Sequence, residues 1–246
     1  MSSFRFVLLR YPYANWENKE MRDMFGKMIR LKLRGYISKH FNGVLPFDTS
    51  DFLADHLLVC KETDEGLEPF MGYRSMPLSR ADFHQIPFGA MTLCQMSHGP
   101  EHEHAVLQIM NEVRANGKEL YYDSAYTIDP KIKNDPVVSP HLKNLILAKH
   151  VLHHENLGSR EVIAGGNMRF KMERLYHFWG YDELAMNGKS LDPLVVPFYA
   201  GDKITVYHLT RWNEDALSLA ATYKLLWSQR VVIGDDVRHD TAKQAA

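Results

Sequence analysis

The sequence predicts a mixed α/β fold, in which one twisted sheet of parallel and antiparallel strands is flanked by helices. In the first third of the chain, two strand-like runs at 56–61 and 69–76 flank a polar turn, the pattern of an antiparallel hairpin. From residue 120 onward, strand-like and helix-like segments alternate, which is typical of parallel strands joined by crossover helices. Because both patterns occur in one chain, the sheet should be mixed.

Composition indicates a soluble globular protein. The 246 residues are 45% apolar and 24% charged, with a formal net charge of −1. The absence of a polybasic block argues against partners such as nucleic acid or an anionic membrane surface. No apolar run approaches the roughly 18 residues of a membrane span, and the run at 6–9 is too short for a signal peptide. Cys60 and Cys94 lie in apolar stretches as core residues would, so we expect a reducing, cytoplasmic setting.

The N-terminal quarter predicts a strand at 4–9 and then a helix. Asn15 is expected to cap this helix, which carries a methionine-rich apolar stripe to about residue 41. Gly26 and Gly35 leave two alternatives open, one unbroken helix or two helices that meet near Gly35. The stripe is expected to be core.

The next segments predict a polar connection at 79–86 and a helix from Pro100 to Asn116. Near the C-terminus, runs at 194–199 and 203–209 predict a second hairpin.

A last helix is predicted at 214–228, capped by Asn213. Its apolar residues are spread too widely for a surface helix, so it should pack on the body or on a second subunit of a homodimer. We see no linker, and expect one domain over 1–233 with a helical extension at 214–230 and a polar, flexible tail at 234–246.

The central stretch carries the features that suggest chemistry. Its predicted elements are strand 120–128, turn 129–138, helix 139–156, strand 161–164 and helix 167–179. Ser139-Pro140 has the pattern of an N-cap followed by proline at the first helical position, so the free amides of that helix offer an anion site. The second helix carries Tyr176 and is ended by Gly180.

The segment Leu175-Tyr176-His177-Phe178-Trp179-Gly180-Tyr181 resembles the L-Y-x-x-x-G-F segment of the GNAT N-acyltransferase superfamily. The asparagine that this superfamily carries upstream has a counterpart in Asn167, two residues too early, and Arg169 occupies the usual place. The superfamily's glycine-rich pyrophosphate turn has no glycine here, at 131–140. The order of the predicted elements is also similar to that superfamily.

The N-terminal half resembles a narrower branch, the acyl-homoserine-lactone and N-acyl amino acid synthases. Asp48 and Asp51 are similar to the acidic pair of that branch, and Arg74, followed by a proline and Phe88, is similar to its R…P…F run. Asp123 stands for its acidic residue on the fourth strand. The arginine that follows there is absent, and Tyr126 is nearby.

The resemblance implies a sheet splayed between its fourth and fifth strands and an acyl group transferred from acyl-CoA or acyl carrier protein to the amine of a small acceptor, such as an amino acid. It implies Asp123 as the base and Tyr176 as the acid that protonates the leaving thiolate. The implied donor-binding residues are Tyr126, Thr127, Ile128, Lys131, Lys133, Ser139, Asn167 and Arg169. The implied acceptor-binding residues are Asp48, Asp51, Arg74 and Phe88.

Two alternatives remain open. One is an acetyl-CoA-dependent N-acetyltransferase acting on a small amine or a protein, and the other is a non-catalytic descendant that binds a ligand or partner. The histidines around Pro100 and those at 150–154 lack the glutamate of a zinc H-E-x-x-H motif. They are therefore expected to be solvated, and no metal is expected.

Overall fold

The computed structural model describes residues 4–37, 47–158, 161–197 and 201–235. The strands are β1 (Phe4–Leu9), β2 (Asp55–Thr63), β3 (Gly66–Pro77), β4 (Tyr121–Ile128), β5 (Val162–Asn167), β6 (Asp182–Glu183), β7 (Ala185–Met186), β8 (Lys189–Ser190), β9 (Leu194–Val196), β10 (Asp202–Leu209) and β11 (Val231–Ile233). The helices are α1 (Lys19–Ile37), α2 (Thr49–Leu53), α3 (Leu78–Phe83), α4 (Gly89–Met96), α5 (Pro100–Ala115), α6 (Leu142–Leu157), α7 (Glu173–Trp179), α8 (Glu214–Ala221) and α9 (Lys224–Ser228).

The mixed sheet is confirmed. Its strand order is β11-β1-β2-β3-β4-β5-β10-β6, and β9 pairs with β10. The hairpin pair β2–β3 and the pair β5–β10 are antiparallel, whereas β4–β5 and β1–β11 are parallel. The predicted hairpin near the C-terminus is also present, as the antiparallel pair β9–β10. The strands β7 and β8 form a separate two-stranded sheet.

The chain divides into two compact units. Met76–Asp123 and His154–Leu217 form the second unit, and the remaining described residues form the first. Each unit has its own apolar core. None of the described helices is long and apolar enough to cross a lipid bilayer.

In the first unit, the methionine-rich stripe of α1 is core, as predicted. Met21, Met24 and Met28 pack with residues of β1 and β2. Asn18, not Asn15, caps the helix, because its side-chain oxygen accepts from the amide of Glu20 at 2.8 Å.

Of the two alternatives for α1, the single helix is observed. It runs through Gly26 and Gly35 without a break. A Cβ on Gly35 would lie 2.4 Å from Cγ2 of Thr127. The glycine therefore lets the helix backbone approach β4 closely. The part of this helix predicted beyond residue 37 lies outside the described residues.

In the second unit, two short helices were not predicted. The segment interpreted as a polar connection forms α3, which buries Leu78 and Ala81, and α4 follows it. Helices of six and eight residues show too few turns for a helical period to be recognised. With α5, which was predicted, they cover the core of this unit.

The last predicted helix is instead two helices, α8 and α9. The chain breaks near Thr222, whose hydroxyl donates to the carbonyl of Leu219 at 2.7 Å and so competes with helical bonding. Asn213 does cap α8, accepting from the amide of Asp215 at 2.9 Å. In the first unit, Trp227 of α9 packs edge-on against Phe6 at 5.7 Å, so this helix packs on the body of the chain. The three-residue β11 was not predicted.

Candidate active site

The second unit contains a buried pair formed by Asp123 of β4 and His154 of α6. Oδ2 of Asp123 lies 2.8 Å from Nε2 of His154. Asp123 is 5% exposed and His154 is fully buried. An ionised carboxylate can only accept a hydrogen bond, so Nε2 of His154 carries the proton and donates. The pair therefore presents a carboxylate in a fixed orientation, which is what a general base requires.

Aromatic rings surround the imidazole of His154. The ring of Tyr121 meets it edge-on at 5.3 Å, and the ring of Trp212 lies 6.2 Å away. The imidazole is therefore enclosed by aromatic rings and held by one carboxylate oxygen of Asp123.

Tyr176, the predicted acid, lies in the same unit as Asp123. It is 5% exposed and its ring stacks on Tyr207 at 4.8 Å. Burial raises the pKa of the Tyr176 hydroxyl, and the charge of Asp123 raises it further. The hydroxyl stays protonated at neutral pH, so it can donate a hydrogen bond to a developing negative charge.

The helix that carries Tyr176 begins later than predicted. Asn167 ends β5, a 3-10 turn follows at Met168–Phe170, and Lys171 has φ 53° before α7 begins at Glu173. Arg169 therefore lies outside the helix that carries Tyr176, and the predicted start of that helix at residue 167 is wrong. The side chain of Asn167 accepts from the amide of Arg169 and so ends the strand in a turn. Gly180 ends α7 with φ 103°, as predicted.

The pairing of β4 with β5 is short. It covers Tyr121 with Val162, Tyr122 with Ile163 and Asp123 with Ala164. Beyond Ala164, β5 continues to Asn167 in register with β10. The parallel pairing therefore ends at the candidate base, as a sheet splayed at these strands requires. The strand was predicted to end at Ala164, whereas it runs on to Asn167.

The predicted donor residues Asn167 and Arg169 come together in the second unit. Nδ2 of Asn167 donates to Oδ2 of Asp202 at 2.9 Å, and the guanidinium of Arg169 lies 3.8 Å from the same oxygen. Asp202 was not predicted as a partner of these two residues. Its carboxylate holds both side chains on one side of the turn that follows β5.

The other predicted donor residues lie in the first unit, on β4 and the turn after it. Thr127 is buried, with its hydroxyl donating to the carbonyl of Ala125 at 3.0 Å. Ala125 has φ 56°, which bends the strand just before Tyr126 and is costly for a residue with a Cβ. The ring of Tyr126 lies 4.9 Å from Nζ of the fully buried Lys149, and Ile128 ends the strand.

Ser139 does not cap the following helix. It lies in a 3-10 turn at Ser139–His141, and α6 begins at Leu142. Asp135 instead stabilises the turn that precedes Ser139, since its Oδ1 accepts from the amides of Val137 and Val138 at 2.9 and 3.1 Å.

Lys131 and Lys133, two of the predicted donor-binding residues, lie in the 3-10 turn that follows β4. The amide of Lys131 donates to the side chain of Asp129, and Lys131 itself is exposed. The side chain of Lys133 lies outside the described residues.

Three predicted acceptor residues come together in the first unit. The guanidinium of Arg74 binds both carboxylate oxygens of Asp48, at 2.7 and 3.0 Å, and lies 3.2 Å from Asp51. Its Nε donates to Oγ of Ser124 at 2.9 Å. Asp48 and Asp51 also form a capping box on α2. The fourth predicted residue, Phe88, is a core residue of the second unit.

Two buried partners of Asp51 were not predicted. Lys32 of α1 forms an ion pair with its carboxylate, and Nε2 of His56 donates to its carbonyl at 2.6 Å. Burial would raise the pKa of Asp51, but Lys32 and Arg74 outweigh burial and lower it to about 2. Burial lowers the pKa of Lys32 to about 8 and that of His56 to about 4, against the opposing effect of Asp51. We call Lys32, Asp48, Asp51, His56 and Arg74 the Asp51 cluster.

The prediction that the histidines of α6 are solvated is wrong. His150, His153 and His154 are 4%, 1% and 0% exposed. Around them α6 is apolar on every side, and a helix of that kind is buried whole. The apolar residues on all sides of this part of α6 were the sequence feature that could have predicted a buried His154. Lys32 had no comparable signal, because lysines are common within amphipathic helices.

Comparison with solved structures identifies the fold. The chain is 15% identical to MesI, a CoA-dependent acyl-homoserine lactone synthase, with a TM-score of 0.51 over 94% of this chain and all of that one. It is 12% identical to the acyl-homoserine lactone synthase LasI, with a TM-score of 0.52 over 96% and 100%. It is also 12% identical to BjaI, a CoA-dependent synthase solved with SAM and isopentyl-CoA, with a TM-score of 0.50 over 96% of each chain.

The chain has the fold of the acyl-homoserine lactone synthases. No protein-family model matches the sequence, and a search of curated proteins finds no match. The resemblance predicted from the motifs is confirmed at the level of the GNAT-like fold.

Proposed function

We propose that this protein is an N-acyltransferase that moves an acyl group from a thioester to the amine of a small acceptor, such as an amino acid or its derivative. The observation that carries the proposal is the buried Asp123–His154 pair. It lies where the pairing of β4 and β5 ends, in a chain with a GNAT-like fold. A carboxylate at that place suits the removal of a proton from an amine.

In the proposed reaction the amine nitrogen attacks the thioester carbonyl, the C–N bond forms and the C–S bond breaks. Asp123 takes the proton that the amine loses, directly or through a water molecule. His154 acts as a positioning residue, because its Nε2–H holds Oδ2 of that carboxylate. Holding both reactants in line supplies much of the remaining acceleration.

One further group of the second unit would stabilise negative charge. The protonated hydroxyl of Tyr176 is proposed to donate to the leaving sulfur. Because the pKa of that hydroxyl is raised, the thiolate gains more from the hydrogen bond than from full proton transfer.

For the donor and the acceptor, the proposal draws on separate observations. MesI and BjaI are CoA-dependent, which supports acyl-CoA as the donor here, and acyl carrier protein remains the alternative carrier. Asn167 and Arg169, gathered by Asp202, are proposed to bind the donor. Within the Asp51 cluster of the first unit, Asp48 is exposed and is proposed to accept from ammonium or hydroxyl groups, whereas the buried Asp51 holds Lys32 and Arg74.

The proposal is tested by thiol release from acetyl-CoA, a long-chain acyl-CoA and an acyl carrier protein thioester, each with a panel of amino acids and amines. We expect amine-dependent turnover with at least one donor. Asp123→Asn should lower kcat by about 10² to 10⁴ and leave donor binding unchanged. His154→Gln, which keeps an N–H donor, should be less impaired than His154→Leu.

The matched control is His153→Gln, which changes the neighbouring buried histidine of α6. It should leave kcat near the wild-type value. A chain that binds thioesters but never turns them over would instead be a binding protein, and an Asp123→Asn variant with wild-type kcat would remove the base from the mechanism.

A further inference from the structure

The inference concerns Gly165 and Gly166, the two glycines of β5 that follow its last residue paired with β4. On one face of the strand, a Cβ added to Gly165 would lie 3.1 Å from Cγ2 of Ile204 and 3.4 Å from Cδ2 of Leu93. It would also lie 4.0 Å from the hydroxyl of Tyr122. Side chains from β10, α4 and β4 therefore line this face of the strand at close range.

The opposite face is closed as well. Successive residues of a strand face opposite sides, so Gly166 points away from this group of side chains. A Cβ added to Gly166 would lie 2.8 Å from Cε2 of Tyr207 and 3.1 Å from Cε2 of Tyr176. The two tyrosines are stacked on each other, so neither ring can turn aside alone.

Tyr122, Ile204 and Leu93 form the wall beside Gly165, and the first two are held in place. The ring of Tyr122 packs on Gly89 at the start of α4, where a Cβ would lie 2.6 Å from its Cδ1, and it meets the ring of Phe88 at 6.0 Å. Ile204 is β-branched and therefore stiff. Leu93 is 8% exposed, and only its methyl end approaches the glycine. Of the three side chains, Leu93 is the one that can yield.

We propose that these walls restrict the donor to short acyl groups, from acetyl to butyryl, and that Leu93 sets the limit. The inference rests on the proposed function, in which the thioester carbonyl lies beside Asp123 and the acyl group extends past Gly165 and Gly166. A longer chain has to displace a buried side chain on either face. Each misfitting methylene in an apolar pocket lowers the specificity constant by roughly 10- to 200-fold.

The test measures binding of free CoA and of acetyl-, butyryl-, octanoyl- and dodecanoyl-CoA to the full chain by isothermal titration calorimetry, which needs no acceptor. We expect acetyl- and butyryl-CoA to bind at least as tightly as free CoA, and octanoyl-CoA to bind at least tenfold more weakly than butyryl-CoA. Leu93→Ala should tighten octanoyl-CoA binding tenfold or more and leave acetyl-CoA binding within twofold.

The matched control is Val113→Ala, which shortens another buried side chain of the same core, on α5. It should leave the chain-length profile unchanged, since a general loosening of the core is not the proposed cause. Tyr122→Phe, which removes only the hydroxyl, gives a second variant with the ring packing intact and should extend the accepted length slightly.

The outcomes separate this inference from the proposed function. Equal binding of all acyl-CoAs, or tighter binding of the long chains by the wild type, would overturn the short-acyl limit and leave the acyltransferase proposal standing. A chain-length profile that Leu93→Ala and Val113→Ala shift alike would also overturn it. If neither free CoA nor any acyl-CoA binds, the CoA donor itself is wrong and the inference falls with it.

Discussion

At the scale of single residues, two features of its surroundings keep the Tyr176 hydroxyl protonated. It is buried against Tyr207, and it feels the charge of Asp123. Both effects oppose ionisation, so the group is a persistent hydrogen-bond donor across neutral and mildly alkaline pH. The hydrogen bond from such a donor strengthens as negative charge develops on the leaving sulfur. It therefore stabilises the transition state more than the bound thioester, and this difference raises kcat.

We therefore expect Tyr176→Phe to lower kcat on a thioester substrate by about one to three orders of magnitude, with little change in KM. The phenylalanine ring keeps the stack on Tyr207, so the free energy of unfolding should change by less than about 1 kcal/mol. Steady-state kinetics and urea denaturation give the two values. An unchanged kcat would refute the hydrogen-bond role.

The residues of the candidate site were predictable to unequal degrees. Asp123 and Tyr176 were predicted as catalytic residues because each lies in a short motif. The grouping of Asp48, Asp51 and Arg74 followed from a resemblance, which the structure supports through direct ion pairs. Lys32 is distant from its partner Asp51 in sequence, and no local pattern records a contact of that kind. His154 was misjudged because histidine was treated as polar, although its helix is apolar on all sides.

At the scale of elements, the entry to α6 shows how a predicted helix start can shift by a few residues. Serine before proline is a strong start signal, and it predicted a helix beginning at Ser139. Asp135 accepts hydrogen bonds from two backbone amides and forms an ion pair with Lys61 at 3.0 Å. The chain therefore turns at Asp135, before Ser139, and passes through a 3-10 segment before α6 begins. The sequence was sufficient to predict that a helix forms here. It did not show which side chain accepts hydrogen bonds from the free backbone amides before the helix.

Two alanine substitutions distinguish the roles of these residues. Asp135→Ala should lower the free energy of unfolding by about 1 kcal/mol, because two amides and Lys61 lose their acceptor. Ser139→Ala should change it by less than about 0.5 kcal/mol, since Ser139 is exposed and is the first residue of a 3-10 turn. Urea denaturation of both variants measures the difference. If Ser139→Ala proved the more costly, the helix would begin where the sequence pattern placed it.

At the scale of the whole molecule, the sequence predicted the mixed sheet and missed the shortest elements, including α3, α4 and β11. Their few residues are held by long-range partners, such as the pairing of β11 with β1, which connects the two ends of the described chain.

The same dependence on distant partners places several ionisable groups in the interior. Stability should therefore depend on pH through the Asp51 cluster.

The sign follows from the directions of the pKa shifts. His56 has a folded pKa of about 4, below its ordinary value of 6.5, so between these limits the unfolded chain binds a proton that the folded chain does not. Its contribution is complete above pH 6.5 and is lost as pH falls toward 4. Asp51, at about 2 against 3.8, adds a further loss below pH 3.8. Lys32, at about 8 against 10.5, makes stability rise as pH increases between those values.

We expect the free energy of unfolding, measured by urea denaturation, to fall between pH 6.5 and 4 by an amount to which His56 alone contributes on the order of 3 kcal/mol. His56→Gln keeps a donor for the carbonyl of Asp51 but does not titrate, so its stability curve should be flatter by that amount over the same interval. Parallel curves for the wild type and His56→Gln would show that His56 takes up its proton equally in both states. The neutral imidazole would then not be a feature of the fold, and the acid sensitivity would have to arise from other groups.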